Sequence, residues 1–141
     1  MASPNPMLAP VVALVAWTLV MWLWMYATRI PAIVKARMRL DPNAPRGEQM
    51  AQLPPSVRWK ADNYNHLMEI PTIFYAVALV LALLGDSSTV TVGLAWAFVI
   101  LRVVHSLWQA LFNVIQVRFA LFVLSTLPLF GLTFRAAQAV F

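Results

Sequence analysis

Between Lys60 and Tyr75 the chain carries Asp62, Asn63, Asn65, His66 and Glu69. Further on, Arg102, His105, Gln109, Asn113 and Gln116 recur at spacings of three or four, with Arg118 just beyond. On a helix Asp62, His66 and Glu69 follow an i, i+4, i+7 pattern, so each set forms one polar stripe. Such stripes satisfy one another across a helix pair or hold a polar ligand, and His66, His105, Gln109 and Arg118 supply donors beyond what the stripes need to satisfy one another. A metal site built from Asp62, His66, Glu69 and His105 has suitable ligand types, but carboxylate-bridged bundles draw ligands from four helices, and only two segments offer any here. Ser106 directly follows His105, which sends the two side chains in different directions on a helix and argues against a hydrolytic triad. No glycine-rich phosphate loop is present. Cysteine is absent, so any thiol chemistry must come from a substrate.

The elements that must position these residues are membrane spans. The polar run from Lys60 flows into an apolar stretch reaching Leu84, interrupted only by Pro71. The 141 residues are 62% hydrophobic and 11% charged, more apolar surface than a soluble domain of this size could hide. Four segments, Leu8 to Thr28, Arg58 to Leu84, Thr89 to Phe112 and Arg118 to Val140, are long enough to cross about 30 Å of hydrocarbon at roughly 1.5 Å per residue. The expected fold class is therefore all-α, a four-helix transmembrane bundle forming a single domain. No basic stretch precedes the first segment, whose apolar run exceeds a signal-peptide core, so it reads as a retained span. Ionisable side chains inside such spans cost roughly 2.5 to 3.5 kcal/mol each on insertion scales, so they are normally partnered or functional.

Arg29, Lys35, Arg37, Arg39, Arg46, Arg58 and Lys60 lie in or beside the connection between spans one and two. By the positive-inside rule this connection, residues 29–57, is cytoplasmic, and both termini and the turn at Gly85 to Ser88 face the other side. The localisation expected is a multi-pass integral membrane protein, in the cytoplasmic membrane if the source is bacterial. One juxtamembrane loop accounts for most of the net charge of +5, which argues against nucleic acid as a partner and for membrane lipids. Five prolines and Gly47 keep the later part of this loop from forming one helix, whereas a helical extension through Lys35 to Arg39 is compatible with the sequence. Its arginines anchor headgroups and set topology, or one of them reaches an anionic ligand. The six tryptophans suit interfacial belts; Trp59 and Trp108 fall at similar depth and could line an entrance. Pro128 and Gly131 in the fourth span mark a kink.

If spans two and three form an antiparallel hairpin turning near Asp86, Glu69 lies level with Arg102, His66 with His105, Asp62 with Gln109, and Arg58 with Asn113. Glu69 and Arg102 both sit about 24 Å from the turn, so the polar region opens toward the cytoplasm, where Arg118 also arrives. The structural reading is a buried Glu69–Arg102 ion pair that fixes helix register, with the histidines and amides satisfying one another and Asn63 and Asn65 hydrogen-bonding between helices. The functional reading is a polar ligand held by the surplus donors.

The string Asn63-Tyr64-Asn65-His66-Leu67-Met68-Glu69-Ile70-Pro71-Thr72-Ile73-Phe74-Tyr75, the third-span Arg102-Val103-Val104-His105-Ser106 and the Arg118-Phe119 that opens span four occur in this order on four short spans. In this arrangement the chain resembles the membrane-associated proteins in eicosanoid and glutathione metabolism, the MAPEG family, in its broad bacterial branch. The resemblance covers about residues 10 to 140. It implies a homotrimer with glutathione as cosubstrate, bound between neighbouring subunits on the cytoplasmic side, and a lipophilic small molecule entering from the bilayer. It also implies a catalytic role for Arg118, stabilising the glutathione thiolate, because a fixed cation beside a thiol favours its ionised form. Asn65, His66 and Glu69, with Arg102 and His105, correspond by position to glutathione-binding residues; no metal is implied.

The chain departs from the catalytic members' pattern at several positions. His66 stands where they carry an asparagine, and Asp62 and Asn65 replace arginines. Phe119 and Phe122 replace hydroxyl-bearing residues, and Gln109 replaces a tyrosine. Arg118 is then left alone to activate the thiol. Two expectations remain open: a glutathione-dependent transferase or peroxidase acting on lipophilic electrophiles, and a non-enzymatic membrane trimer serving as an assembly or lipid-binding subunit.

Overall fold

The computed structural model describes residues 4–141. The described residues form six helices and no strand: α1 (Leu8–Lys35), α2 (Glu48–Ala51), α3 (Pro55–Leu67), α4 (Ile70–Leu83), α5 (Thr89–Leu111) and α6 (Ile115–Val140). Four helical stretches are long and apolar enough to cross a membrane, namely α1, α3 and α4 taken together, α5, and α6. The expected all-helical, four-span architecture is present, with boundaries that move for identifiable reasons. Helix α1 passes through Pro31 but stops at Lys35, short of the anticipated Arg39, because Arg37 adopts a left-handed conformation at φ 48°. Helix α3 starts at Pro55, whose fixed φ and missing N–H suit the first turn, rather than at Arg58. The third connection shrinks to Phe112–Val114, since Asn113 at φ 55° ends α5 and α6 begins at Ile115 rather than Arg118.

The second span is two helices rather than one. Pro71 has no N–H to give the Leu67 carbonyl and disfavours α geometry at Ile70, and the chain breaks at Met68 and Glu69, the latter at φ −93°, ψ −105°. Pro128 has no such effect, and α6 continues through it. Ser125 and Thr126 hydroxyls there bond the Phe122 and Val123 carbonyls, next to the Leu124 carbonyl that Pro128 cannot serve.

The core that fixes the bundle joins α1, α4, α5 and α6 through Leu14, Phe74, Ala78, Ala95, Phe98 and Leu132, all fully buried. Phe74 and Phe98 stack at 4.6 Å between ring centroids, with Ala78 and Ala95 nearby keeping the backbones close. Gly131 serves the same end, since a Cβ there would meet the Leu94 side chain at 3.1 Å. Val12, Leu19, Leu23, Leu83 and Phe130 are exposed outward, a surface suited to lipid.

At the α4–α5 turn a polar clip holds three segments. Asp86 accepts from the Ser88 N–H (2.9 Å) and the Thr91 hydroxyl (2.8 Å), Ser88 caps α5 by accepting from the Thr91 N–H (3.3 Å), and Arg135 of α6 reaches both Ser88 (3.1 Å) and Asp86 (3.4 Å). Burial pushes the Asp86 carboxyl up, but the bonds from Ser88 and Thr91 and the Arg135 charge outweigh it and hold the group below its ordinary range. A depressed folded-state value means the carboxylate stabilises the fold fully above its unfolded pKa and loses that contribution as pH falls through the folded one. Asp86→Asn is therefore expected to lower the thermal unfolding temperature in detergent at neutral pH. The difference from the parent protein should vanish at strongly acidic pH; a difference independent of pH would refute the carboxylate's role.

Candidate functional site

The helix break at Met68–Glu69 builds the site. It leaves Glu69 at the start of α4, anchored through its carbonyl by the Thr72 N–H (3.0 Å) and hydroxyl (2.6 Å), with its carboxylate 2.6 Å from His66 Nδ1. The Glu69 side chain is 61% exposed and does not pair with Arg102. This corrects the expected buried Glu69–Arg102 pair, which assumed an unbroken helix. Arg102, fully buried on α5, donates instead from Nη2 to the His66 carbonyl (3.2 Å), an acceptor left at the break. Its guanidinium also lies 5.9 Å from the Phe122 ring of α6.

His66 and His105 do meet as the hairpin arithmetic requires, with ring centroids 5.0 Å apart, and Phe122 packs on His66 at 5.4 Å. Around them His66, His105, Ile115, Arg118, Phe119 and Phe122 line a cavity of about 230 Å³ between α3, α5 and α6. Arg118 is oriented within it by a hydrogen bond to Asn113 Oδ1. The left-handed turn at Asn113 that ends α5 thus also supplies the anchor for this cation. Among the described residues, buried polar atoms without a partner occur along the chain, and two of them, His105 Nδ1 and Arg118 Nε, belong to side chains that line this cavity. Buried polar groups are normally satisfied, so these two are placed to meet a polar guest.

Asn65 and Asp62 lie elsewhere. Both line a second cavity of about 410 Å³ with Arg29, Arg46 and Arg58, at the end of the bundle near α2. Asp62 therefore does not continue the His66 stripe toward Gln109, because α3 presents Asn63 and His66 to α5. Three arginines in or beside the basic connection, Arg29, Arg46 and Arg58, converge here on one hollow.

A sequence model of the MAPEG family matches residues 7–138. The chain belongs to the MAPEG family. No curated protein and no protein of solved structure matches it.

Of the residues singled out from the sequence of this MAPEG chain, His66, His105 and Arg118 share one cavity, Glu69 and Arg102 fix His66 from its side chain and backbone respectively, and Asn65 belongs to the second cavity. Neither Trp59 nor Trp108 lines the first cavity. Sequence reasoning missed Ser106 as a structural hub. Its hydroxyl accepts from Asn63 Nδ2 (2.6 Å) and from Trp17 Nε1 (2.9 Å), tying α3 and α1 to α5 directly behind the site. A small hydroxyl residue in mid-span, where membrane helices approach closely, is the signal that could have found it. Ser106→Ala leaves the buried Asn63 donor and the partly buried Trp17 donor without an acceptor and is expected to cost about 1 to 3 kcal/mol. Thermal unfolding of the detergent-solubilised protein measures this, and an unchanged midpoint would dismiss the hub.

Proposed function

We propose that this MAPEG protein is a glutathione-dependent transferase or peroxidase acting on lipophilic electrophiles, working as a homotrimer with the cavities toward the cytoplasm. The observation that carries the reading is Arg118, a cation anchored by Asn113 inside a cavity walled by Ile115, Phe119 and Phe122. A fixed positive charge stabilises a thiolate, and apolar walls suit an electrophile arriving from lipid while keeping water away from the nucleophile. The unpaired Nε of Arg118 and Nδ1 of His105, both on side chains that line the cavity, would meet the polar parts of the tripeptide. Arg29, Arg46 and Arg58 around Asn65 provide cations for its carboxylates, in place of the arginines whose positions Asp62 and Asn65 occupy. One protomer's cavity of about 230 Å³ is smaller than the roughly 300–1,000 Å³ of small-molecule sites, so a neighbouring subunit would complete it.

The apolar wall also favours a second reading, a non-enzymatic lipid-binding or assembly subunit, because Phe119 and Phe122 offer no hydroxyl to a thiol. Calorimetric titration of glutathione into the purified protein in detergent separates the two. Saturable binding accompanied by thiolate absorbance in the ultraviolet is expected. No binding at millimolar glutathione would favour the subunit.

A further inference from the structure

We propose that His66 is the general base that takes the thiol proton in this site, with Glu69 as the positioning residue that orients it. The proposal rests on the glutathione reading above and adds the acid–base chemistry that Arg118 cannot provide, since a guanidinium does not release its proton in proteins. Among the residues that line the first cavity, only His66 and His105 can accept a proton. His66 alone has a carboxylate on its ring, Glu69 Oε2 at 2.6 Å from Nδ1. A carboxylate accepts, so Nδ1 donates, and the neutral ring keeps its lone pair on Nε2. The same carboxylate stabilises the imidazolium once a proton has been taken, the role of the orienting acid in a nucleophile–base–acid relay.

The ring is held by its neighbours. Its backbone carbonyl is fixed by Arg102, its faces pack against His105 and Phe122, and Glu69 is anchored by Thr72. The His66 side chain remains 21% exposed and, among the described residues, hydrogen-bonds only Glu69, so Nε2 is not spent on the fold. His105, by contrast, is 1% exposed, has Nδ1 buried without a partner and faces no carboxylate. The charged and titratable groups around His66 are Glu69 from the break, Arg102 and His105 from α5, and Arg118 from α6.

In the step proposed, the S–H bond breaks and its proton passes to His66 Nε2, leaving the electron pair on sulfur beside Arg118. The thiolate then forms a C–S bond at an electrophilic carbon. With a chloroarene the C–Cl bond breaks, chloride leaves with its electron pair, and the imidazolium returns the proton to solvent. Electrons balance without an oxidant or reductant.

The test compares the full-length parent, His66→Gln and Glu69→Gln in detergent, by glutathione calorimetry, by the pH dependence of thiolate absorbance, and by the pH–rate profile with chlorodinitrobenzene. His66→Gln is expected to keep glutathione affinity within a few-fold and to lose about 10²–10³-fold in kcat, together with the acidic limb of the profile. Glu69→Gln, isosteric and hence safe for folding, should lose about tenfold in kcat and shift that limb. Nitrogen NMR of labelled histidine should show the Nδ1–H tautomer for His66 in the parent and a mixture in Glu69→Gln. Intact binding with kcat and acidic limb unchanged in His66→Gln would overturn the base alone. Absence of glutathione binding to the parent would overturn the proposed function, and the base with it.

Discussion

On the proposed glutathione chemistry, replacing Arg118 by Ala is expected to lower kcat/KM for conjugation by roughly 10²–10³-fold, the usual effect of removing one preorganised charge from a developing anion. The expectation follows from the position of the side chain more than from its charge. Arg118 sits in the first turn of α6, tied to Asn113 in the turn that ends α5, so its cation is fixed before a ligand arrives. It borders a cavity otherwise walled by apolar side chains and imidazoles, where weak screening magnifies a charge. The variant should elute from size exclusion like the parent, because Arg118 makes its side-chain bond within its own connection and bridges no helices of the core. Thiolate absorbance with saturating glutathione should disappear. Arg118→Lys should recover only part of the rate, since an ammonium cannot keep the same bond to Asn113 while reaching the sulfur. Activity retained in Arg118→Ala would sink the thiolate mechanism.

How much of this was legible beforehand varies with how local the cause is. Four spans and an all-helical bundle follow from composition and segment length, and the His66–His105 contact follows from counting residues back from the Asp86 turn. The same counting failed for Glu69 because it assumed a continuous helix. Pro71 was visible, but whether a proline breaks a span or is absorbed depends on what satisfies the freed carbonyls. At Pro71 the chain breaks and Arg102 takes the His66 carbonyl, whereas α6 runs through Pro128. Asn113 read as one more polar residue of the third-span stripe, and its left-handed backbone and grip on Arg118 emerge only when the connection closes. The gathering of Arg29, Arg46 and Arg58 around Asn65 depends on how a proline-rich loop folds back, which periodicity does not encode.

Replacing Arg102 by Met is expected to stabilise the ligand-free protein while weakening its response to glutathione, and the pairing of the two effects is the informative result. Arg102 is fully buried, and it makes one hydrogen bond, to the His66 carbonyl, while Nε and Nη1 have no partner. No carboxylate neutralises it directly, since Glu69 is turned to His66. Desolvating a guanidinium is expensive, and substituting well-packed apolar groups for buried charges has raised stability by about 1–4 kcal/mol elsewhere. Met fills most of the same volume, and the His66 carbonyl retains the Glu69 N–H at 3.4 Å. What is lost is the contact with Phe122 and the set of vacant donors behind His66. Thermal unfolding in detergent should therefore show a higher midpoint for Arg102→Met without glutathione and a smaller rise when glutathione is added. A residue kept only to lock helix register would behave oppositely, losing stability with or without ligand. A midpoint that falls in the free protein would assign Arg102 to the fold; one that rises while the glutathione response disappears would mean the chain carries an uncompensated buried charge for the sake of its ligand.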